Sequence, residues 1–91
     1  MSISYGAVSV GVTATLIAPS SSARKGLLVA NNDTTIALFI GPDSSVTASN
    51  GMPIPAGGYL INSGTNDNFR GAWYGIVASG SVDVRYFNWT E

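Results

Sequence analysis

Histidine and cysteine carry most of the general-base, nucleophilic and transition-metal chemistry of proteins, and this chain of 91 residues contains neither. Serine is plentiful, but a serine nucleophile needs a base beside it. The sole lysine, Lys25, is followed directly by Gly26 at the mouth of an apolar run. There it reads as a solvated or interfacial charge rather than a base. Paired-carboxylate chemistry would have to come from Asp33, Asp43, Asp67, Asp83 and Glu91. Three of these stand among Asn, Ser or Gly, where Asp is favoured because its side chain closes a turn. The sequence therefore predicts no catalytic group and no enzyme.

Asn31-Asn32-Asp33 and Asn66-Asp67-Asn68 offer oxygen ligands of the kind calcium takes. Neither has the charge count or the downstream bidentate Glu of an EF-hand loop, so neither a metal nor a cofactor is expected. Asn32-Asp33-Thr34 and Asn88-Trp89-Thr90 match the glycosylation acceptor pattern, and both are read as chance. Aromatic residues make up 10% of the chain. Exposed rings stack on sugars, so a carbohydrate-binding β-sandwich module of host recognition is the competing functional reading, with Trp73 and Trp89 as its rings. Core or interface filling is preferred, because no acid or amide is paired in sequence with such a ring.

The elements that must position these residues are strands. From Ala7 to Ala18 apolar residues alternate as Val8, Val10, Val12, Ala14, Leu16 and Ala18, with Gly11 marking a bend that divides two short strands. Residues 1–6 read as an N-terminal arm. Leu27 to Ala30 and Ile36 to Ile40 flank the polar cluster Asn31 to Thr35, which predicts an antiparallel hairpin. Leu27, Leu28 and Val29 are consecutive, so both faces of that strand are expected to be covered. Val46 to Ala48 reads as a very short strand, Asn50-Gly51 as a tight turn, and Met52 to Pro55 as an extended edge segment. Strands follow at Tyr59 to Asn62, Phe69 to Ala78 and Val82 to Trp89. In the last, Val82, Val84 and Tyr86 face one way and Asp83, Arg85, Phe87 and Trp89 the other. Seven or eight short strands with no helical period predict a single all-β domain over residues 1–91, an antiparallel β-sandwich of jelly-roll-like type.

Charged residues are only 10% of the chain, and the net charge is −1. That is well below the quarter usual for soluble domains, which points to oligomerisation or docking onto a larger assembly. The cations Arg24, Lys25, Arg70 and Arg85 are too few and too scattered for a basic stripe, so no nucleic-acid partner is expected. No apolar run approaches the ~18 residues of a membrane span. The first residues also lack the basic start and apolar core of a signal peptide, so a protein made and used without Sec export is expected.

The order of motifs resembles a recurrent small β module of tailed-bacteriophage virion proteins, of the capsid decoration (cement) or head-fibre base type. The match runs through the Val/Thr/Ala-rich Val12–Ala18, then Arg24–Asn31 with its Arg-Lys-Gly start, then Ile36–Gly41, which ends in Gly. It continues through Val46–Ala48, the Gly-x-Pro-Ile-x-Ala-Gly segment Gly51–Gly57, and Ala72–Arg85, read as a paired C-terminal hairpin. The resemblance implies a compact structural protein that forms a homotrimer, binds a major capsid or other virion protein at the capsid surface, and is made in the host cytoplasm. On that reading Arg24, Lys25 and Arg70 are polar interface contacts, and Phe87 and Trp89 are its apolar anchors.

Overall fold

A computed structural model describes residues 2–63 and 69–90 of the chain. Its strands are β1 (Ser2–Val10), β2 (Thr15–Ala18), β3 (Arg24–Asn31), β4 (Leu38–Gly41), β5 (Met52–Ile54), β6 (Tyr59–Ser63), β7 (Trp73–Ile76) and β8 (Val82–Thr90). They form two four-stranded sheets, ordered β1-β8-β3-β6 and β2-β7-β4-β5, with every pairing antiparallel. Strands whose numbers add to nine are neighbours: β1 with β8, β2 with β7, β3 with β6 and β4 with β5. The chain is thus a long antiparallel ribbon rolled onto itself, closed by the β8–β3 and β7–β4 pairings. This is the strand order of an eight-stranded jelly roll.

The inner faces follow the period-2 pattern. Leu27 and Val29 of β3 and Val82 and Val84 of β8 meet Leu38 and Ile40 of β4 and Trp73 of β7 in one buried cluster. Leu28, between two core residues, points the other way and is only half-buried. The outer face of β3 is therefore open, against the expectation that both its faces are covered.

The hairpin expected around Asn31 to Thr35 does not form, because β3 and β4 lie in opposite sheets. A two-residue hairpin turn needs left-handed backbone, and no residue other than glycine has a positive φ among the described residues. Instead the Asp33 carboxylate accepts from the Thr35 and Ile36 amides at 2.9 and 2.7 Å. The Asn31 side chain donates to the Ile36 carbonyl at 2.8 Å. This bent connection carries the chain across the sandwich. The expected C-terminal hairpin separates in the same way, with β7 in one sheet and β8 in the other.

Val46 to Ala48 is a turn rather than a strand. Val46 is 5% exposed, and the Thr47 carbonyl accepts from the Gly51 amide at 2.9 Å. Gly51 has no positive φ, so its role is not the tight turn expected of Asn50-Gly51. A Cβ there would lie 2.8 Å from the Phe39 Cβ, so glycine is required by close approach. The strand expected over Phe69 to Ala78 shortens to β7. The Phe69 and Arg70 carbonyls accept instead from Arg24 and from the Ser21 amide. Residues 2–6, expected as an arm, are the first half of β1, paired with β8 without a break from Ser2↔Thr90 to Val10↔Val82.

Candidate functional site

The residues expected at an interface do not stay together. Arg24 is 1% exposed and lies inside the fold. Its guanidinium donates to Asn88 Oδ1 at 2.9 Å and to the carbonyls of Gly71 at 2.7 Å, Phe69 at 3.3 Å and Pro19. One side chain thus ties β8, the end of the β6–β7 connection and the β2–β3 loop at one corner of the roll. Burial lowers its pKa by desolvation, but a guanidinium has so high a starting value that it stays charged. Arg24 is a clamp rather than the interface contact expected, because five fixed donors suit a pocket of carbonyls. Arg70 is exposed, with Nε donating to the Arg24 carbonyl at 3.2 Å, and Lys25 is half-buried.

Phe87 and Trp89 lie on the outer face of the β1-β8-β3-β6 sheet. Cross-strand partners in an antiparallel sheet project to the same side, so the register defines what this face displays. One row runs Tyr5, Phe87, Leu28 and Ile61 across all four strands. The row beside it holds Ile3, Trp89 and Gly26. On the other side come Ala7, Arg85, Ala30 and Tyr59. Tyr5 is 77% exposed, Tyr59 67%, Ile61 53%, Ile3 50% and Phe87 43%. The ring centroids of Tyr5 and Phe87 are 6.4 Å apart, and those of Phe87 and Trp89 6.2 Å. Tyr5, Ala7, Leu28, Arg85 and Phe87 border a groove of about 410 Å³.

The charges in these rows and just beyond them cancel. Arg85 Nη2 lies 2.7 Å from Asp83 Oδ2, and Asn32 Nδ2 donates to the same carboxylate oxygen at 3.1 Å. Hydrogen bonding from Arg85, then from Asn32, holds the Asp83 carboxyl below its ordinary range. The remaining rows are uncharged. The face is thus open and largely apolar, with its charges paired along one border.

Trp89, expected as an apolar anchor, is half-buried, with its indole packed over Gly26. A Cβ on that glycine would fall 2.1 Å from Trp89 Cζ2. Sequence reading missed Ile3, Tyr5, Leu28, Tyr59 and Ile61 as members of this face. The odd-numbered alternation of Ile3 and Tyr5 in β1 and of Tyr59 and Ile61 in β6 was the available signal, and the assignment of residues 1–6 as an arm hid the β1 half of it.

Trp73, a ring considered for sugar stacking, is 6% exposed and belongs to the core, with its Nε1 buried and unpartnered. Among the described residues, no three His, Cys, Asp or Glu side chains gather in a metal-holding arrangement. Asp33 and Asp43 are occupied in turns, the first held low by the Thr35 and Ile36 amides and the second by the Ser45 hydroxyl and amide. Asp67, Glu91 and the Asn66-Asp67-Asn68 stretch lie outside the described residues. No family model, curated protein or solved structure matches the chain.

Proposed function

We propose that this chain is a structural subunit of a tailed-bacteriophage virion. Copies pack through the outer face of the β1-β8-β3-β6 sheet as a homotrimer, and the trimer caps the assembled shell as a decoration protein. The observation that supports this most is the apolar row Tyr5–Phe87–Leu28–Ile61, open across four strands and bordered by charges that cancel. Copies of the chain are its favoured occupant because a neutral face meets its own copy without like-charge repulsion. The jelly roll occurs in viral capsid proteins and in lectins, but a fold does not assign a function, so the argument rests on the face. A protein that binds only the assembled shell stabilises it by mass action, in proportion to occupancy, and needs no catalytic group.

The test uses virion shells purified with and without the protein. Added wild-type protein should co-sediment with depleted shells and raise their disruption temperature. Phe87→Asp places a charge in the centre of the row. It should abolish trimer formation and shell binding while leaving the protomer folded. Wild-type protein that ignores shells, or stays monomeric at every concentration, overturns the reading. The exposure of Tyr5 and Tyr59 favours carbohydrate binding as the second reading. Retention on a glycan array, lost in Tyr5→Ala with self-association unchanged, would establish that alternative instead.

A further inference from the structure

Each sheet has two edges, and the sequence guards them very unequally. β5 has three residues, with Pro53 within it and Pro55 just beyond. β2 has four, broken by a register shift between Leu16 and Ala18 and followed by Pro19. β6 has five. Short length, proline and bulges are the devices that stop an edge from recruiting another strand. β1 has none of them. It is nine residues long, Ser-Ile-Ser-Tyr-Gly-Ala-Val-Ser-Val, with no charge, no proline and no break in its pairing with β8. Among the described residues β8 is its only strand neighbour, so the far side of its backbone offers a row of hydrogen-bonding groups with no ladder.

We infer that β1 is a second self-association site, pairing antiparallel with β1 of another copy across a twofold axis at Gly6 to give one continuous eight-stranded sheet. A second copy is the occupant because the strand complements itself. Around Gly6, Tyr5 faces Ala7 of the other copy and Ile3 faces Ser9, so each large outer side chain meets a small one. Near a twofold axis any charge meets its own image, and β1 carries no charge. The pairing also sets the two Tyr5 rings on a diagonal, about 7–8 Å apart at the backbone and within aromatic reach. That accounts for the position of the most exposed aromatic of the face, on an edge strand. Because β6, the other edge of this sheet, is short, the extension closes at two copies rather than growing into a fibre.

This contact is independent of shell binding and of the threefold packing proposed above, and the mass of the isolated protein separates them. Light scattering across a dilution series should show a species with an even number of chains. A dimer supports the edge contact and overturns the trimer, and a hexamer supports both. A plain trimer overturns the edge contact alone, and a monomer overturns both. Ala7→Glu sets a carboxylate beside Arg85 of its own protomer and about 7–8 Å from its image across the axis. It should halve the wild-type mass, while Ala7→Ser leaves it unchanged. The chain has no cysteine, so mixing equal amounts of Tyr5→Cys and Ala7→Cys under oxidation should give the mixed disulfide dimer far in excess of the twofold ratio over each homodimer that random pairing gives. Equal masses for Ala7→Glu and wild type, or no mixed-disulfide excess, would exclude the pairing.

Discussion

The amide nitrogen of Asn31 donates to the carbonyls of Ile36 at 2.8 Å, Ile54 at 3.2 Å and Pro55 at 3.3 Å. The Asn31 backbone adds bonds to the β5–β6 turn, its amide donating to the Gly58 carbonyl and its carbonyl accepting from the Gly57 amide. Asn31→Ala would leave those acceptors buried without the donor, at a cost of about 2–4 kcal/mol. Urea unfolding would show this as a lower midpoint with an unchanged slope. Asn31→Asp should be worse at neutral pH, because a carboxylate would face carbonyl oxygens with no proton to give. Its folded pKa would be raised, so the excess penalty over Asn31→Ala shrinks as pH falls through that value. Equal penalties at all pH values would mean that the side chain is not aimed at the carbonyls. The sequence marks Asn31 as a turn former, and that much is legible. Its donation to residues 23 and 24 positions away is not, since no local pattern encodes which distant carbonyl an amide will meet.

Among elements, the β3–β8 pair shows a strand shaped by one contact. Trp89 covers Gly26 so closely that an added Cβ would lie 2.1 to 2.8 Å from three ring atoms, so Gly26→Ala must displace the indole. We expect a loss of about 1–3 kcal/mol and a red-shifted Trp89 emission. In a Trp89→Ala background the same substitution should cost almost nothing, a coupling that a double-mutant cycle reads directly. If Gly26→Ala is equally costly in both backgrounds, the glycine is required by the backbone rather than by the ring. The alternation of β8 and the Gly11 bend were readable from side-chain pattern alone. Which strands pair was not, because adjacent apolar runs look the same whether they form a hairpin or cross to the opposite sheet. The Asn31–Thr35 connection crosses between the sheets without any left-handed residue, and that leaves no trace in hydrophobic period.

For the whole molecule, sparse charge makes the response to pH simple. With no histidine and no cysteine, no side chain titrates between about pH 5 and 9 by reference values. The carboxyls of Asp33, Asp43 and Asp83 are all held below their ordinary value by hydrogen bonds formed in the fold. A carboxyl with a depressed folded pKa contributes stability that is complete above its unfolded value and is lost as pH falls through the folded one. The urea midpoint should therefore be flat from about pH 5 to 9 and decline only below about pH 4. Asp33 holds the sheet-crossing connection and Asp43 the turn beneath Val46, so the acid limb reports loops rather than core. Asp33→Asn should lower the neutral plateau and flatten the acid limb, since the amide cannot lose a proton-linked contribution. An acid limb as steep in Asp33→Asn as in wild type would place the titrating contribution elsewhere. The all-β class was legible in the period-2 alternation and the short, regular spacing of turn signals. The face itself became visible only when the register brought Tyr5, Phe87, Leu28 and Ile61 from four strands into one row.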